Sequence, residues 1–319
     1  MIYVSKNRRE FLKQTSFGII GIGIAAGALS PGEEAFGAPE KTKVAVVRNP
    51  KAISDRNVCD RKQAAFMLEK ALLTLTGKMN TTEAWAALGV TKNDVVGIKP
   101  NCNAAQFPLF VHSELVYALC DTLTGIVAPS NIIIYERSTS ELSRAGFRMN
   151  QNGSGVRCYG TEDGGGFHDR EGLTRILTDK CTKVINVPSM KVFGGFAGSL
   201  FLKNHIGSIS PMEMSRCHGN AEFCSQVCAQ PGIKNKTVLA LCDGLRGTYS
   251  DRDPWYWGGI IMSRDQVAAE YVALDTINEK RRAENIRPFE IPSYVRLAET
   301  RYGLGTCNPA NMEINRITL

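Results

Sequence analysis

The sequence has little of several features that define common classes of protein. It has no long basic run, although Lys and Arg outnumber Asp and Glu by 38 to 31. The dispersed net charge of +7 therefore gives no support for nucleic-acid binding and slightly favours small anionic ligands. The apolar run at residues 17–29 is too short for a comfortable membrane span. Histidine is scarce, and two of the four histidines lie between Ser199 and His218.

The first 37 residues have the organisation of an export signal. Arg8 and Arg9 precede the apolar run, Pro31 ends it, and residues 35–37 supply small residues for a signal peptidase. This pattern resembles a twin-arginine signal, which predicts a periplasmic or extracellular protein that meets the twin-arginine translocase during export. We place cleavage near Gly37, and retention of the segment as an anchor is the alternative. Cleavage leaves residues 38–319 as a single α/β domain with no stable membrane span.

Strands and helices are predicted to alternate along residues 38–319. Continuous apolar runs predict buried strands at residues 43–48, 94–98, 131–135, 184–187, 238–242 and 260–262. Apolar residues at helical spacing predict helices at residues 60–75, 82–88, 112–124, 142–147, 224–228, 267–282 and 293–302. This order is typical of a mostly parallel, doubly wound α/β sheet with helices on both faces. Residues 150–172 are predicted to form a long surface loop, and residues 312–319 an edge strand or tail.

Polar side chains follow the predicted strands one after another. The carboxyl ends of parallel strands meet at one edge of a sheet, and ligands bind beyond that edge. We therefore expect the side chains of Lys99, Arg137, Asp243 and Asp265 to converge on one cleft, together with Lys203 from the segment described next. Asn101 follows the same strand as Lys99.

A second polar group follows the short apolar run at residues 200–202. It consists of Lys203, Asn204 and His205, with His218 further along the chain. A cation, an amide and an imidazole together can hold an anion and move a proton. The structural alternative is that these residues cap a helix.

These groups suggest an exported enzyme that acts on a small carboxylate- or phosphate-bearing compound. Lys99, Arg137 and Lys203 would bind the anion, beside the amides of Asn101 and Asn204. His218 or His205 would transfer a proton, and Asp243 and Asp265 would orient or accept it. Trp255, in an aromatic loop, would close over a ring or sugar; its alternative role is an aromatic plug at the sheet edge.

The ten cysteines support a second hypothesis, a metal-linked or redox protein. Cys217, His218, Cys224 and Cys228 could complete a Cys3His metal site, although their spacing departs from common zinc patterns. A disulfide within this cluster or plain buried thiols are the alternatives, because pairing cannot be read from spacing. A third hypothesis is a periplasmic ligand-binding or accessory protein.

Six segments resemble, in order, the conserved blocks of the domain of unknown function 362 family. They are residues 43–47, 94–101, 131–137, 202–204 with His218, 241–244 and 261–268. The resemblance implies an α/β fold, and many relatives carry a twin-arginine signal. Some longer relatives add a ferredoxin-like iron–sulfur module, but this chain lacks the C-x2-C-x2-C-x3-C run of that module. An iron–sulfur centre or a metal ion on the cysteine cluster stays open at this point, and the reaction must be argued from the site.

Overall fold

Eight strands form the central sheet of the chain. A computed structural model describes residues 40–103, 109–170, 172–192, 197–250 and 254–319, so the predicted signal at residues 1–37 lies outside the described residues. The strands are β1 (Thr42–Arg48), β2 (Val96–Pro100), β3 (Ile132–Glu136), β4 (Arg157–Gly160), β5 (Lys183–Val187), β6 (Thr237–Gly244), β9 (Gly259–Ser263) and β10 (Met312–Thr318). A separate hairpin contains β7 (Gly247–Thr248) and β8 (Pro254–Trp255).

The order of the strands in the sheet is β10-β1-β9-β6-β5-β2-β3-β4. All neighbours are parallel except β9, which runs antiparallel to both β1 and β6. Strands β2 and β3 are buried along their whole length, as expected for strands covered on both faces. The predicted α/β sheet, mostly parallel with helices on both faces, is confirmed.

Helices cover both faces of the sheet. The longer ones are α1 (Arg61–Thr76), α2 (Thr81–Ala87), α3 (Ser113–Leu123), α4 (Thr139–Arg144), α8 (Glu222–Cys228), α10 (Gln266–Ala283) and α11 (Ser293–Thr300). Four short helices are α5 (Phe201–Asn204), α6 (Pro211–Met214), α7 (Arg216–Gly219) and α9 (Pro231–Lys234). Side chains of α1 to α4 pack on one face, and those of α5, α8, α10 and α11 pack on the other.

Local sequence signals fix the ends of the main helices. The Asp60 carboxylate accepts hydrogen bonds from the N–H groups of Lys62 and Gln63 at the start of α1, and Gly77 ends this helix at φ 67°. Asp265 caps α10 in the same way, through the N–H groups of Val267 and Ala268. These caps satisfy backbone donors that a helix cannot satisfy internally.

Two elements differ from the predicted arrangement. Strand β9 is antiparallel, so the residues that follow it lie at the opposite edge from those that follow β2, β3, β5 and β6. The polar stretch 150–172 is not a loop throughout, because β4 pairs with β3 at the edge of the sheet. Residues 312–318 form an edge strand beside β1, which confirms one of the two alternatives.

Within the described residues, no helix has the length and apolar character needed to cross a membrane.

Candidate functional site

A cleft of about 380 Å3 lies at the carboxyl ends of β2 and β3. Its wall opposite the strands comes from residues 199–218, which contain α5, α6 and α7. The polar residues that line it are Asn101, Asn103, Glu136, Arg137, Ser199, Lys203, Asn204, Ser215 and His218, and Cys217 lies among them. Six residues predicted for the site therefore meet in one cleft: Asn101, Arg137, Lys203, Asn204, Cys217 and His218.

The floor of the cleft contains a buried ion pair. Lys99 Nζ lies 2.8 Å from Glu136 Oε1, and the two side chains are 0% and 3% exposed. Lys99 also donates to the Pro100 carbonyl at 3.0 Å. Gly207 passes directly over this pair, since a Cβ at that position would lie 3.0 Å from Lys99 Nζ and from both Glu136 oxygens. Lys99 thus holds Glu136 in place instead of binding a ligand directly.

Asn204 joins the cleft wall to the sheet. Its amide nitrogen donates to the Lys99 carbonyl at 2.9 Å and to Asn186 Oδ1 at 2.8 Å. Its Oδ1 accepts from Asn101 Nδ2 at 3.2 Å and lies 3.5 Å from Lys99 Nζ. Because Asn204 is almost fully buried and its polar atoms are used, its role is to position α5 on the strands.

A second buried lysine lies behind Asn101. Lys191 Nζ donates to Asn101 Oδ1 at 2.6 Å and to the carbonyls of Leu109 and Asn103 at 2.8 and 3.3 Å. Burial lowers the pKa of Lys191 to about 7, and the charges of Lys203 and Lys99 act in the same direction. An anion in the cleft would therefore stabilise the protonated form of Lys191.

Lys203 and His218 face the cleft from the helical wall. Burial lowers the pKa of Lys203, while the sulfurs of Cys217 and Cys224 oppose that shift. Cys217 and His218 are adjacent residues of α7, so the wall presents a cation, an imidazole and a thiol to the same space. The arrangement can bind a negative charge and transfer a proton.

Arg137 is the cation on the strand side of the cleft. Its Nε donates to Glu141 Oε2 at 3.1 Å, and its Nη2 contacts the other oxygen of the same carboxylate. Nη1 lies 3.6 Å from Met214 Sδ in the helical wall. With two nitrogens engaged by Glu141, Arg137 has a fixed orientation and contributes positive charge beside Lys203.

Asp243 and His205 were predicted to be catalytic, but neither lines this cleft. Asp243 is fully buried, and its Oδ2 accepts from His112 N at 2.7 Å and lies 2.8 Å from His112 Nδ1. His205 is also fully buried, and its Nδ1 lies 3.3 Å from Ser208 Oγ. Burial and the nearby charge of Lys99 lower the pKa of His205 to about 3, so this imidazole stays neutral.

Asp265 and Trp255 also lie elsewhere. The antiparallel direction of β9 places Asp265 at the opposite edge of the sheet, where it caps α10 and accepts from Thr306 N at 2.8 Å. Trp255 is in the hairpin strand β8, with its ring centroid 6.0 Å from that of Trp257. The aromatic plug therefore describes Trp255 better than a cover over the cleft.

The four proposed metal ligands do not form a metal site. Among the residues that the structure describes, no group of three or more His, Cys, Asp or Glu side chains could hold a metal ion. Cys228 points into the core, where its thiol donates to the Leu202 carbonyl at 3.3 Å. Cys224 interacts with Cys217 instead. A metal ion or an iron–sulfur centre on Cys217, His218, Cys224 and Cys228 does not fit this arrangement.

Two residues outside the predicted set support the site. Glu136 ends β3 and Lys191 follows β5, so their position at strand ends was a usable signal. Away from the cleft, His112 stands before α3 and contacts Asn57 and Asp243, the second of them 131 positions away in the sequence. A contact of this range cannot be read from the local sequence.

Comparison with known proteins supports the resemblance noted in the sequence. The model of a family described as "Domain of unknown function (DUF362)" matches residues 96–275, more than half of the chain. No curated protein and no solved structure gives a significant match. The matched span contains β2, β3, β5 and the whole helical wall of the cleft. The chain belongs to the domain of unknown function 362 family.

Proposed function

We propose that the protein is an exported enzyme that acts on a small carboxylate- or phosphate-bearing compound bound in this cleft. The observation that carries the proposal is the charge distribution of the lining. Arg137, Lys203 and His218 line the cleft together with one carboxylate among its described lining residues, that of Glu136. Lys99 is paired with this carboxylate at 2.8 Å, and Arg137 is paired with Glu141. Lys203 adds a further positive charge to these two pairs, so the cleft favours an anion.

Lys203 is the main anion-binding group in this proposal. It lies on α5, which Asn204 holds against the strand ends through four hydrogen-bonding contacts. Such a supported helix can keep the ammonium group in a fixed place, so little freedom is lost when a ligand binds. Arg137 adds positive charge from the strand side of the cleft, and Lys191, which donates to Asn101, adds positive charge in its protonated form.

His218 is the proton-transfer group in this proposal. It lines the same cleft as Lys203 and belongs to the helix that carries Cys217. An imidazole can accept or donate a proton near neutral pH, whereas a lysine beside it orients the anion. Export through the twin-arginine pathway would place this chemistry in the periplasm or outside the cell.

A binding experiment on Lys203→Met tests the anion site. Isothermal titration with sulfate, inorganic phosphate and citrate should show binding to the wild-type protein and at least a tenfold loss in the variant. The free energy of unfolding should change by less than about 1 kcal/mol, because losing a partly buried charge also removes its desolvation cost. Lys92→Met, at an exposed position, is the matched control. Unchanged anion affinity in Lys203→Met would contradict the proposal.

His218→Gln separates an enzyme from a binding protein. A screen of small phosphorylated and carboxylated compounds would identify a substrate for the wild-type protein by product formation. The variant should keep its affinity for that compound and lose turnover, since glutamine cannot carry the proton. A variant with full turnover would show that His218 has no catalytic role.

A further inference from the structure

The cleft also contains one cysteine that differs from the other nine. All ten cysteines are free and buried, but Cys217 is the one that lines the cleft. The other nine have thiol pKa values raised by burial, or in Cys224 first by its hydrogen bond to Cys217. A cysteine that faces a cavity beside cations has the surroundings of a reactive thiol.

Cys224 lies directly behind Cys217. The two residues belong to consecutive short helices, α7 and α8, which pack against each other, and both side chains are part of one buried cluster. The two thiols interact with each other, and this interaction is the largest influence on the pKa of each. Cys228, one helical turn further on, is turned away to the Leu202 carbonyl. The second sulfur within reach of Cys217 is therefore that of Cys224.

We propose that Cys217 and Cys224 form a redox-active thiol pair that exchanges with small disulfides in the cleft. The Cys217 thiolate attacks one sulfur of the disulfide; a new S–S bond forms, the old one breaks, and the first small thiol leaves. The first small thiol leaves as its thiolate and takes the proton of Cys224, and the Cys224 sulfur then attacks Cys217. The Cys217–Cys224 disulfide forms and the second small thiol leaves, so the protein pair is oxidised and the small disulfide is reduced.

The electrostatics of the pair agree with these roles. The interaction with Cys224, with the charges of His218 and Lys203, lowers the pKa of Cys217 below that of a free thiol. The same interaction and burial raise the pKa of Cys224. Cys217 is thus the thiol that ionises first and attacks, and Cys224 stays protonated until the mixed disulfide has formed.

This inference does not depend on the proposed anion chemistry. Lys203 and His218 act here only through their charge near the sulfur, and the reaction needs no carboxylate or phosphate substrate. A protein without anion affinity can still carry the thiol pair, and the measurements below report on sulfur alone.

Alkylation tests the reactivity of Cys217. The reduced protein is treated with iodoacetamide between pH 5 and 9, and each cysteine is followed by peptide mass mapping. Cys217 should react first, with a rate that reaches half its maximum below pH 8, because its pKa is lowered. Cys307→Ser is the control, because this thiol bonds to Glu299 outside the cleft and its loss should leave the Cys217 profile unchanged. A half-maximal rate above pH 8 would overturn the proposal.

Oxidised glutathione tests the pair. The wild-type protein should lose two hydrogens and show a Cys217–Cys224 crosslink, whereas Cys224→Ser should stop at one glutathione bound to Cys217. Because the serine hydroxyl can still donate to Cys217, this variant should keep the low half-maximal pH, and Cys224→Ala should raise it. Two results in the wild-type protein would overturn the proposed thiol pair. One is a crosslink between other cysteines, and the other is a reaction that stops at the glutathione adduct. The mass change and the position of the crosslink are both measured on the wild-type protein, so they test the proposal even if a Cys224 variant fails to fold.

Discussion

Glu270 Oε2 accepts a hydrogen bond from the backbone N–H of Leu202 at 3.0 Å, which fastens the start of α5 to α10. Glu270 Oε1 lies 3.1 Å from the Tyr294 hydroxyl, and this hydroxyl lies 3.1 Å from the Gly198 carbonyl. One hydroxyl proton cannot serve both acceptors. The ionised Glu270 accepts from the Tyr294 hydroxyl, which then leaves the Gly198 carbonyl without that donor. When Glu270 is protonated, it can donate to Tyr294 Oη while Tyr294 donates to Gly198, so that both contacts are satisfied.

Burial raises the pKa of Glu270 to about 7, although the hydrogen bonds from Leu202 and Tyr294 oppose this shift. The folded protein therefore holds a proton between pH 4.5 and 7 that the unfolded chain releases. Its contribution to stability is complete below pH 4.5 and is lost as the pH rises through about 7. The thiols of Cys228 and Cys242 also face Glu270, and their raised pKa values keep them neutral in this range.

Replacing Glu270 by Gln should stabilise the protein in a pH-dependent way. The amide keeps the acceptor for Leu202 and a donor for Tyr294 but cannot ionise. Relative to wild type, the gain in the free energy of unfolding should be near zero at pH 4.5 and about 3 kcal/mol at pH 8. Urea denaturation across this range measures it, with the exposed Glu279→Gln on the same helix as the control. Parallel curves for Glu270→Gln and wild type would contradict the assignment.

The contact between Asp243 and His112 predicts a second loss of stability as the pH rises. Burial lowers the pKa of His112, but the charge and hydrogen bond of Asp243 outweigh burial and raise it overall. The stability from this pair is complete below pH 6.5 and is lost as the pH rises through the raised pKa of the folded protein.

Asp243→Asn should therefore cost more stability at pH 5.5 than at pH 8.5. The loss at low pH should be about 3 kcal/mol or more, because a buried charged partner of His112 is removed. Chemical denaturation at the two pH values measures it, beside the exposed control Asp55→Asn. If the two losses were equal, Asp243 would not control the charge of His112.

Much of this fold is readable from local sequence, because apolar runs and caps act over a few residues. The apolar runs at residues 131–135 and 184–187 correspond to β3 and β5, and Asp265 caps α10. The direction of β9 is not a local property, since an antiparallel strand with both faces buried shows the same apolar run as a parallel one. Because β9 is antiparallel, Asp265 lies at the opposite edge of the sheet from the predicted cleft.

The site was predictable where a polar residue directly follows a parallel strand or the run at residues 200–202. Asn101, Arg137 and Lys203 met in the cleft for this reason. The buried residues that hold the site in place were harder to predict, because their role depends on hydrogen-bonding partners that are distant in the sequence. Glu270 did leave a signal, as it lies three residues after Val267 and four before Leu274, on the apolar face of α10. A carboxylate on such a face predicts a buried hydrogen-bonding role.

The export signal can be tested independently of the fold. Replacing Arg8 and Arg9 by Lys should leave the precursor in the cytoplasm, because the twin-arginine pathway depends on this pair. Cell fractionation and immunoblotting measure the distribution, and Lys6→Arg is a control that changes a nearby basic residue without touching the pair. Mature protein outside the cytoplasm at an unchanged yield would contradict the twin-arginine assignment.

Lys191 predicts that anion binding weakens as the pH rises. In the free protein its pKa is about 7, because burial and the charges of Lys203 and Lys99 disfavour the ammonium form. A bound anion on the other side of Asn101 would favour that form, so binding should be linked to proton uptake. Sulfate is the best probe, since its own charge is constant over this range.

The sulfate affinity should be highest below pH 7. Above pH 7 it should fall by up to about tenfold for each pH unit, which is the steepest dependence that uptake of one proton allows. Calorimetry at pH 7.5 in buffers of different ionisation enthalpy measures proton uptake by the wild-type protein directly. His218 also lines the cleft, so the comparison is made in His218→Gln protein. In that background Lys191→Met should abolish the uptake and Cys217→Ser should retain it, which separates the amine from the thiolate. Because Lys191 donates to Asn101 and to the Leu109 carbonyl, Lys191→Met should also lower the free energy of unfolding. Sulfate binding to this variant is therefore measured below its melting temperature. Sulfate binding without proton uptake in the wild-type protein would mean that the anion does not sense Lys191.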